Sequence, residues 1–482
     1  MQRSAIQKIL GLLLMIISIS MFPPVLVSLW YDDGATTPFI IAFFTTLIAG
    51  LIMWWPVKGF QKEMRTRDGF IIVAMFWLVL GLSGSLPLML SAAPDLTITD
   101  SIFESISGLT TTGATVITGL DELPRSILYY RHQLQWLGGM GIIVLAVAVL
   151  PMLGIGGMQL YRAETPGPMK DNKLTPRIAE TAKALWYIYL GLTIACASAY
   201  WAAGMTAFDA ICHSFSTVAI GGFSTHDESI GYFDSALIES VAIVFMLMAG
   251  VNFSLHFLSW RSFSINPYFA DAEFKVYLKV LGFVALISMM YLYITGTFEA
   301  GGAIHNGLFQ AVSIGTTTGF TTAEYHNWPG FLPALLLLSS FIGGCAGSTG
   351  GGMKVIRVLL LVRQGMREVI RLIHPNALVP VKIGGNVLEE RVVDAVWGFF
   401  SLYVGSFIIM ALLLAASGLD LITAFSAVAA CMNNLGPGLG DVGSHYGEIN
   451  DPAKWILCFA MILGRLEIFT VLVLLTPAFW RK

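Results

Sequence analysis

Charged residues are scarce in this chain: Asp, Glu, Lys and Arg make up 12% of its 482 residues, against 56% hydrophobic. A soluble domain carries about 25% charge, so the shortage excludes a soluble fold and selects a polytopic, all-α membrane protein. Cysteine is sparse as well. Cys196, Cys212, Cys345, Cys431 and Cys458 form no CxxC pair, and the eight histidines have no ligand spacing, which leaves no zinc site and no redox motif. The thiols read as small buried hydrophobes. HExxH and GxSxG are both missing, so an intramembrane enzyme would lack its metal cluster or its nucleophile. No covalently bound cofactor and no nucleic-acid partner are expected.

Basic residues are missing from two long stretches, 184–260 and 280–353. They gather instead at 58–67, 162–183, 261–279, 363–391 and 481–482, which places those segments and both termini on the cytoplasmic side. The opposite face carries Asp209, Asp227, Glu228, Asp234, Glu239, Glu299 and Glu324, with Arg125, Arg131 and Lys454 as exceptions; an acidic mouth concentrates cations. His213, His226, His305, His326 and His445 cluster on the same outer hairpins, as hydrogen-bonding groups that titrate near neutrality. Apolar runs of spanning length lie at 9–29, 38–55, 70–90, 133–153, 184–203, 237–258, 276–294, 331–341 continuing at 355–362, 393–416 and 455–475. Ten spans are expected, the eighth broken and the first bent at Pro23 and Pro24.

What the chain does have is an internal repeat. "GLTTTGAT" places Gly113, "STVAIGGFST" Gly222, "GTTTGFTT" Gly319 and "ACMNNLGPG" Gly436, spaced by roughly a quarter of the chain. Thirteen residues before each glycine stand Asp100, Asp209, Asn306 and Thr423, types suited to capping a helix N-terminus. The division is two N-terminal spans in 1–67, then four units in 68–165, 166–265, 266–385 and 386–482. Each unit reads as span, half-helix, glycine-bearing extended segment, span. Half-helices cannot cross, so each dips in from the outer face and returns, and irregular backbone at that depth must line a wet cavity. Four around one axis make a pore, with the partially negative helix ends pointing inward toward a cation. Glycine supplies positive φ and close approach, and backbone carbonyls can replace the water shell of potassium.

With these glycines, the stretch "LQWLGGMGIIVLAVAVLPMLGIGGMQLYRAETPGP" and the segment 343–354, the whole chain resembles the Trk/Ktr/HKT superfamily of potassium transporters, and its two extra N-terminal spans fit the longer Trk pattern. The resemblance implies ion sites at Thr111, Thr112 and Gly113; Ile220, Gly221 and Gly222; Thr317, Thr318 and Gly319; Asn434, Leu435 and Gly436. Potassium ions in that filter are the cargo. No filter glycine is replaced by serine, which in the family implies potassium over sodium. Sodium-coupled or less selective uptake of the Ktr type is the alternative. The second and fourth copies depart from Thr-Thr-Thr, so fourfold symmetry is approximate.

"GGCAGSTGGGMK" at 343–354 interrupts the eighth span. A nucleotide-binding P-loop would place Lys directly after the last glycine, and here Met353 separates them. Glycine-rich backbone breaks a helix, so a loop facing the cavity is expected, with Gly343, Gly344, Gly347, Gly350, Gly351, Gly352 and Lys354 as its gate residues. Arg465 lies mid-span, where charge is costly and faces an interior or a wet cavity; Glu467, two residues on, is on another helix face. Both a structural ion pair and a pore-side charge fit Arg465. The basic 357–391 stretch is ordinary positive-inside signal and also a docking surface for a soluble regulator. The resemblance implies such a regulator, a cytoplasmic TrkA-type nucleotide-binding ring beneath a homodimer in the bacterial inner membrane, with lipid around it.

Overall fold

The computed structural model describes residues 3–60, 66–149, 178–384 and 386–481. The end of the fourth expected span, the Lys62 and Arg65 positions and the basic residues Arg162 to Arg177 lie outside them. The helices run α1 (Arg3–Ile19), α2 (Phe22–Tyr31), α3 (Thr36–Trp54), α4 (Thr66–Gly84), α5 (Leu86–Leu90), α6 (Ile98–Leu109), α7 (Arg125–Val149), α8 (Ile178–Ala202), α9 (Ala207–Ala219) and α10 (Ala236–Ala249). They continue as α11 (Phe253–Ser262), α12 (Asn266–Ala270), α13 (Ala272–Ile294), α14 (Ala300–Gly315), α15 (Leu332–Ser339), α16 (Val355–Ile373), α17 (Glu390–Ala416), α18 (Leu421–Met432), α19 (Asp451–Arg465) and α20 (Phe469–Leu475). The one ladder among the described residues pairs Lys382 with Val387 and Ile383 with Asn386.

Among the described residues six helices are long and apolar enough to cross a membrane: Arg3–Tyr31, Thr36–Val57, Arg67–Leu90, Lys183–Ala202, Ala272–Ile294 and Glu390–Ala416. Their outward faces are apolar, as at Phe44, Ile48 and Ile52 of α3 or Ile408, Ile409 and Leu412 of α17, while Ser101, Ser105, Thr112, Ser216 and Asn434 are buried. Polar groups inside and hydrocarbon outside suit a lipid surround. The first span breaks at Ser20 and Met21, and the two prolines open α2, where a missing N–H costs nothing. All five cysteines are free and buried.

Two expectations need correction. The sixth and tenth spans are not continuous: α10 and α11 meet at 95°, and α19 and α20 at 117°. Gly250 follows α10, and Asn252 caps α11 by accepting the Ser254 N–H at 2.8 Å; after α19 the chain turns through Glu467 and Ile468, with φ of 52° and 62°. Each break takes three residues, too few to interrupt an apolar run. The second correction concerns the caps. Thr97, Thr206 and Asp420 are the true N-caps of α6, α9 and α18, and Asp100, Asp209 and Thr423 sit three residues inside. Thr97 and Thr206 accept from the Asp100 and Asp209 N–H groups, each at 3.1 Å, the forward half of a capping box. In three repeats the inner position ties the half-helix to its returning loop: Asp209 accepts from the Thr225 hydroxyl at 2.8 Å, Asn306 from Thr322 at 3.0 Å, and Thr423 from the Asp441 N–H at 3.1 Å; Asp100 instead accepts from Lys454 at 2.6 Å.

The four short helices α6, α9, α14 and α18 have 12, 13, 16 and 12 residues. At about 1.5 Å per residue they reach roughly 18–24 Å, short of the hydrocarbon thickness. Their inner turns are wholly buried.

Candidate ion pathway

Each short helix ends in the same backbone motif. The N–H two residues before the marker glycine donates to the carbonyl three back, as Thr111 to Gly108, Ile220 to Thr217, Thr317 to Ile314 and Asn434 to Cys431. The next N–H donates five back: Thr112 to Ser107, Gly221 to Ser216, Thr318 to Ser313 and Leu435 to Ala430, at 2.9, 2.8, 2.8 and 2.8 Å. This is a Schellman C-cap, and it requires a left-handed residue. Thr111, Ile220, Thr317 and Asn434 take it, with φ of 54°, 55°, 69° and 53°. For Ile220 that conformation is strained, and such strain collects at functional sites.

The marker glycines then return to positive φ, at 80°, 77°, 86° and 98°. A Cβ on Gly113 would lie 2.1 Å from the Gly221 carbonyl oxygen, one on Gly222 2.0 Å from that of Thr318, and one on Gly319 2.1 Å from that of Leu435. The circuit closes at Gly436, 2.8 Å from the Thr112 oxygen. Each repeat's glycine is thus seated on the next repeat's penultimate carbonyl, four times round. The supports differ from wall to wall. Thr110 and Thr112 share a hydroxyl bond of 2.7 Å, Thr316 and Thr318 one of 2.8 Å. In the second wall Gln135 donates to the Gly221 carbonyl at 2.6 Å and accepts the Phe223 N–H at 3.1 Å. In the fourth, Asn434 reaches the Thr112 hydroxyl at 3.0 Å and the Met461 carbonyl at 3.1 Å.

The 343–354 loop stands directly against the inner side of this ring. Gly351 N–H donates to Thr317 Oγ1 at 2.7 Å and Gly352 N–H to the Asn433 carbonyl at 3.0 Å, while Thr349 Oγ1 donates to the Val218 carbonyl at 2.9 Å. A Cβ on Gly351 would fall 1.9 Å from the Asn433 oxygen, and one on Gly350 3.1 Å from that of Thr316. Gly343, Gly347, Gly352 and Lys354 all have positive φ. Gly343 packs its bare Cα on Gly351, and Gly344 receives the Val355 N–H at 3.1 Å. Lys354 is buried and donates to the Gly350 carbonyl.

The model of the cation transport protein family TrkH matches residues 35–482. The chain belongs to the TrkH family. It is 59% identical to the Trk system potassium uptake protein TrkH of Vibrio parahaemolyticus, over 100% of both chains. It is 55% identical to the TrkH of Escherichia coli, over 99% of both, and 46% identical to the TrkG of the same species, over 98% of this chain and 97% of the other. The crystal structure of the potassium transporter TrkH from Vibrio parahaemolyticus superposes with a TM-score of 0.91 at 56% identity, covering 100% of both chains. A member of this family is a multi-pass membrane transporter rather than an enzyme.

In this TrkH-family chain Arg465 lies where the first repeat meets the loop. Its guanidinium donates to Thr111 Oγ1 and the Thr349 carbonyl, each at 3.2 Å, to the Gly139 carbonyl at 3.1 Å, and to that of Gly138, and it stands over the Trp77 ring. Glu467 is held by Arg357 instead.

Outside the ring opens a cavity of about 370 Å³ lined by all four marker glycines and by Asp227, Glu228 and Glu324. Its wall contains a pair that the repeat pattern missed. Glu104 and Arg131 are both buried and meet at 2.8 Å; Glu104 also accepts from the Thr115 hydroxyl and the Val116 N–H, and Arg131 reaches the Ser224 carbonyl at 3.3 Å. They join the outer shoulders of the first two walls. A glutamate midway along a half-helix whose inner turns are buried is the signal that would have found them.

His226 bridges Asp121 and, at 3.6 Å, Asp209. Burial opposes charge on its ring, but the carboxylates of Asp209 and Asp121, the second hydrogen-bonded to it, outweigh that and hold its pKa above the ordinary histidine value.

Two outcomes follow. Arg131→Met leaves a buried carboxylate without its partner and should cost about 3–5 kcal/mol, read as a lower thermal midpoint in detergent; Glu104→Leu together with Arg131→Met should recover part of it, and a double variant no better than the single would show the two are not coupled. For His226, a raised folded pKa means its contribution is complete below about 6.5 and fades as pH climbs through the folded value. The midpoint should therefore fall between about pH 6 and 8 more steeply in the wild type than in His226→Gln, and equal slopes would remove the bridge from the account.

Proposed function

We propose that the chain takes up potassium across the bacterial inner membrane through the ring of Gly113, Gly222, Gly319 and Gly436. The observation that carries this reading is the closed circuit in which each glycine's missing Cβ is filled by the next repeat's carbonyl. In such a segment, residues of alternating hand set successive amides on one side and carbonyls on the other, so the carbonyls of Thr111, Thr112, Ile220, Gly221, Thr317, Thr318, Asn434, Leu435 and the glycines coordinate the dehydrated ion. The printed names of the full-length relatives, Trk system potassium uptake proteins, support the same cargo.

In this reading the 343–354 loop is a closed gate, because its glycine amides bond to the inner ends of the third and fourth walls, the Thr349 hydroxyl to the second, and Arg465 joins it to the first. The fixed positive charge opposes a cation there. Both termini are cytoplasmic, and the chain works as a homodimer above a cytoplasmic nucleotide-binding ring of the TrkA type, docked on the basic 357–391 stretch.

Rubidium uptake into proteoliposomes tests the proposal. Excess potassium should block uptake and excess sodium or lithium should not; equal block by sodium would sink the selectivity claim. Gly113→Ser places an atom where only 2.1 Å is available and should weaken that discrimination. Shortening the 343–354 loop or replacing Arg465→Ala should raise basal uptake, and wild-type rates in both would end the gate reading.

A further inference from the structure

We propose that Glu273 is the latch that holds the glycine-rich loop in its occluding position. The proposal rests on the reading of that loop as the gate and makes one carboxylate its positioning residue.

Glu273 lies in the first turn of α13, on the buried face that continues through Tyr277 and Leu281. Its Oε1 accepts two amides: the Ala346 N–H at 2.8 Å and the Ile356 N–H at 3.0 Å. Ala346 is on the incoming leg of the loop, and Ile356 is in the first turn of α16, immediately beyond the outgoing leg. One atom therefore joins the two sides of the gate.

The site is built for this. α16 starts after Lys354, whose φ is 77°, and no side chain of its own N-terminus caps it. Its first amides need an acceptor, and a carboxylate is favoured there by the helix dipole. Glu273 supplies that acceptor from another span. The legs themselves are zipped by Met353 N–H to the Phe341 carbonyl at 2.9 Å and Val355 N–H to that of Gly344 at 3.1 Å. Those bonds stay within the segment that would move, whereas the bonds to Glu273 tie it to a fixed span. Val251, Tyr277, Leu281, Cys345 and Val355 form a small apolar cluster around the latch, apart from the main core, so the carboxylate is shielded and its bonds are strengthened.

Glutamine in its place keeps one acceptor oxygen for the two amides but brings an NH2 group into the apolar cluster, so the grip weakens without being lost, whereas alanine removes the acceptor altogether. Withdrawal of the loop must break both bonds together, which makes Glu273 a threshold rather than a hinge. It also stands close to Lys275 and Lys279 at the cytoplasmic end of its span, where a regulator below the membrane can reach the helix that carries it.

The test is rubidium uptake by the full chain in proteoliposomes without any cytoplasmic partner, comparing wild type, Glu273→Gln, Glu273→Ala and the loop-shortened variant. Glu273→Ala should raise basal uptake by roughly tenfold or more, Glu273→Gln by less, both with potassium still preferred over sodium. Wild-type uptake in Glu273→Ala beside raised uptake in the loop-shortened chain would overturn the latch while leaving the gate in place. No rise in either would remove the gate reading and the latch with it. Raised uptake with lost preference for potassium would also overturn it, because the filter rather than the loop would have been disturbed. If Glu273→Ala fails to fold, Glu273→Gln decides: a partial rise supports the latch, and none overturns it.

Discussion

The fold depends on one steric fact, that four peptide strands can meet around an axis only where they carry no Cβ. The carbonyl oxygens against Gly113, Gly222 and Gly319 sit about 2 Å from where that carbon would be. A side chain there would force the neighbouring carbonyl to shift, so the close ring favours glycine and glycine permits the ring. Everything outside serves to bring the strands to that distance. The half-helices stop in Schellman caps because only a left-handed residue turns the chain from helix to extended strand within so few residues, and the surrounding elements bury the inner turns of those half-helices.

The ring is also where polar backbone is brought to membrane depth, which hydrocarbon forbids unless every group is satisfied. The caps satisfy the last helical carbonyls, and side chains satisfy much of what remains. The first and third walls use paired threonine hydroxyls, the second borrows Gln135 from a neighbouring span, and the fourth uses Asn434. The inner loop completes the accounting, with glycine amides facing Thr317 and Asn433. Burying bare backbone there is possible because loop and ring are complementary in their donors and acceptors.

Much of this was legible in the sequence, and for a physical reason. Glycine is favoured where a neighbouring carbonyl takes the place of a Cβ, so it recurs at the same place in each repeat, and the shortage of charge marks the apolar spans. What escaped was of another kind. The 95° and 117° breaks in the sixth and tenth spans occupy three residues each, which leave the average hydropathy intact. The residues thirteen before each glycine looked like caps, yet Asp209, Asn306 and Thr423 tie their half-helices to the returning loops and Asp100 pairs with Lys454, while Thr97, Thr206 and Asp420 take the capping role. The Glu104–Arg131 pair joins positions 27 apart in the chain, and no local pattern links them. Arg465 was visible as an anomaly, but its carbonyl partners belong to other repeats.

The ring is made from one continuous polypeptide, and that has a genetic consequence. In a pore assembled from four identical subunits a single codon change strikes every wall at once, so variation there is all or nothing. Here a codon change alters one quarter of the circumference. The second wall can lean on Gln135 and the fourth on Asn434 without imposing either device on its neighbours, so the lining can be retuned one quadrant at a time, in steps small enough for selection to keep.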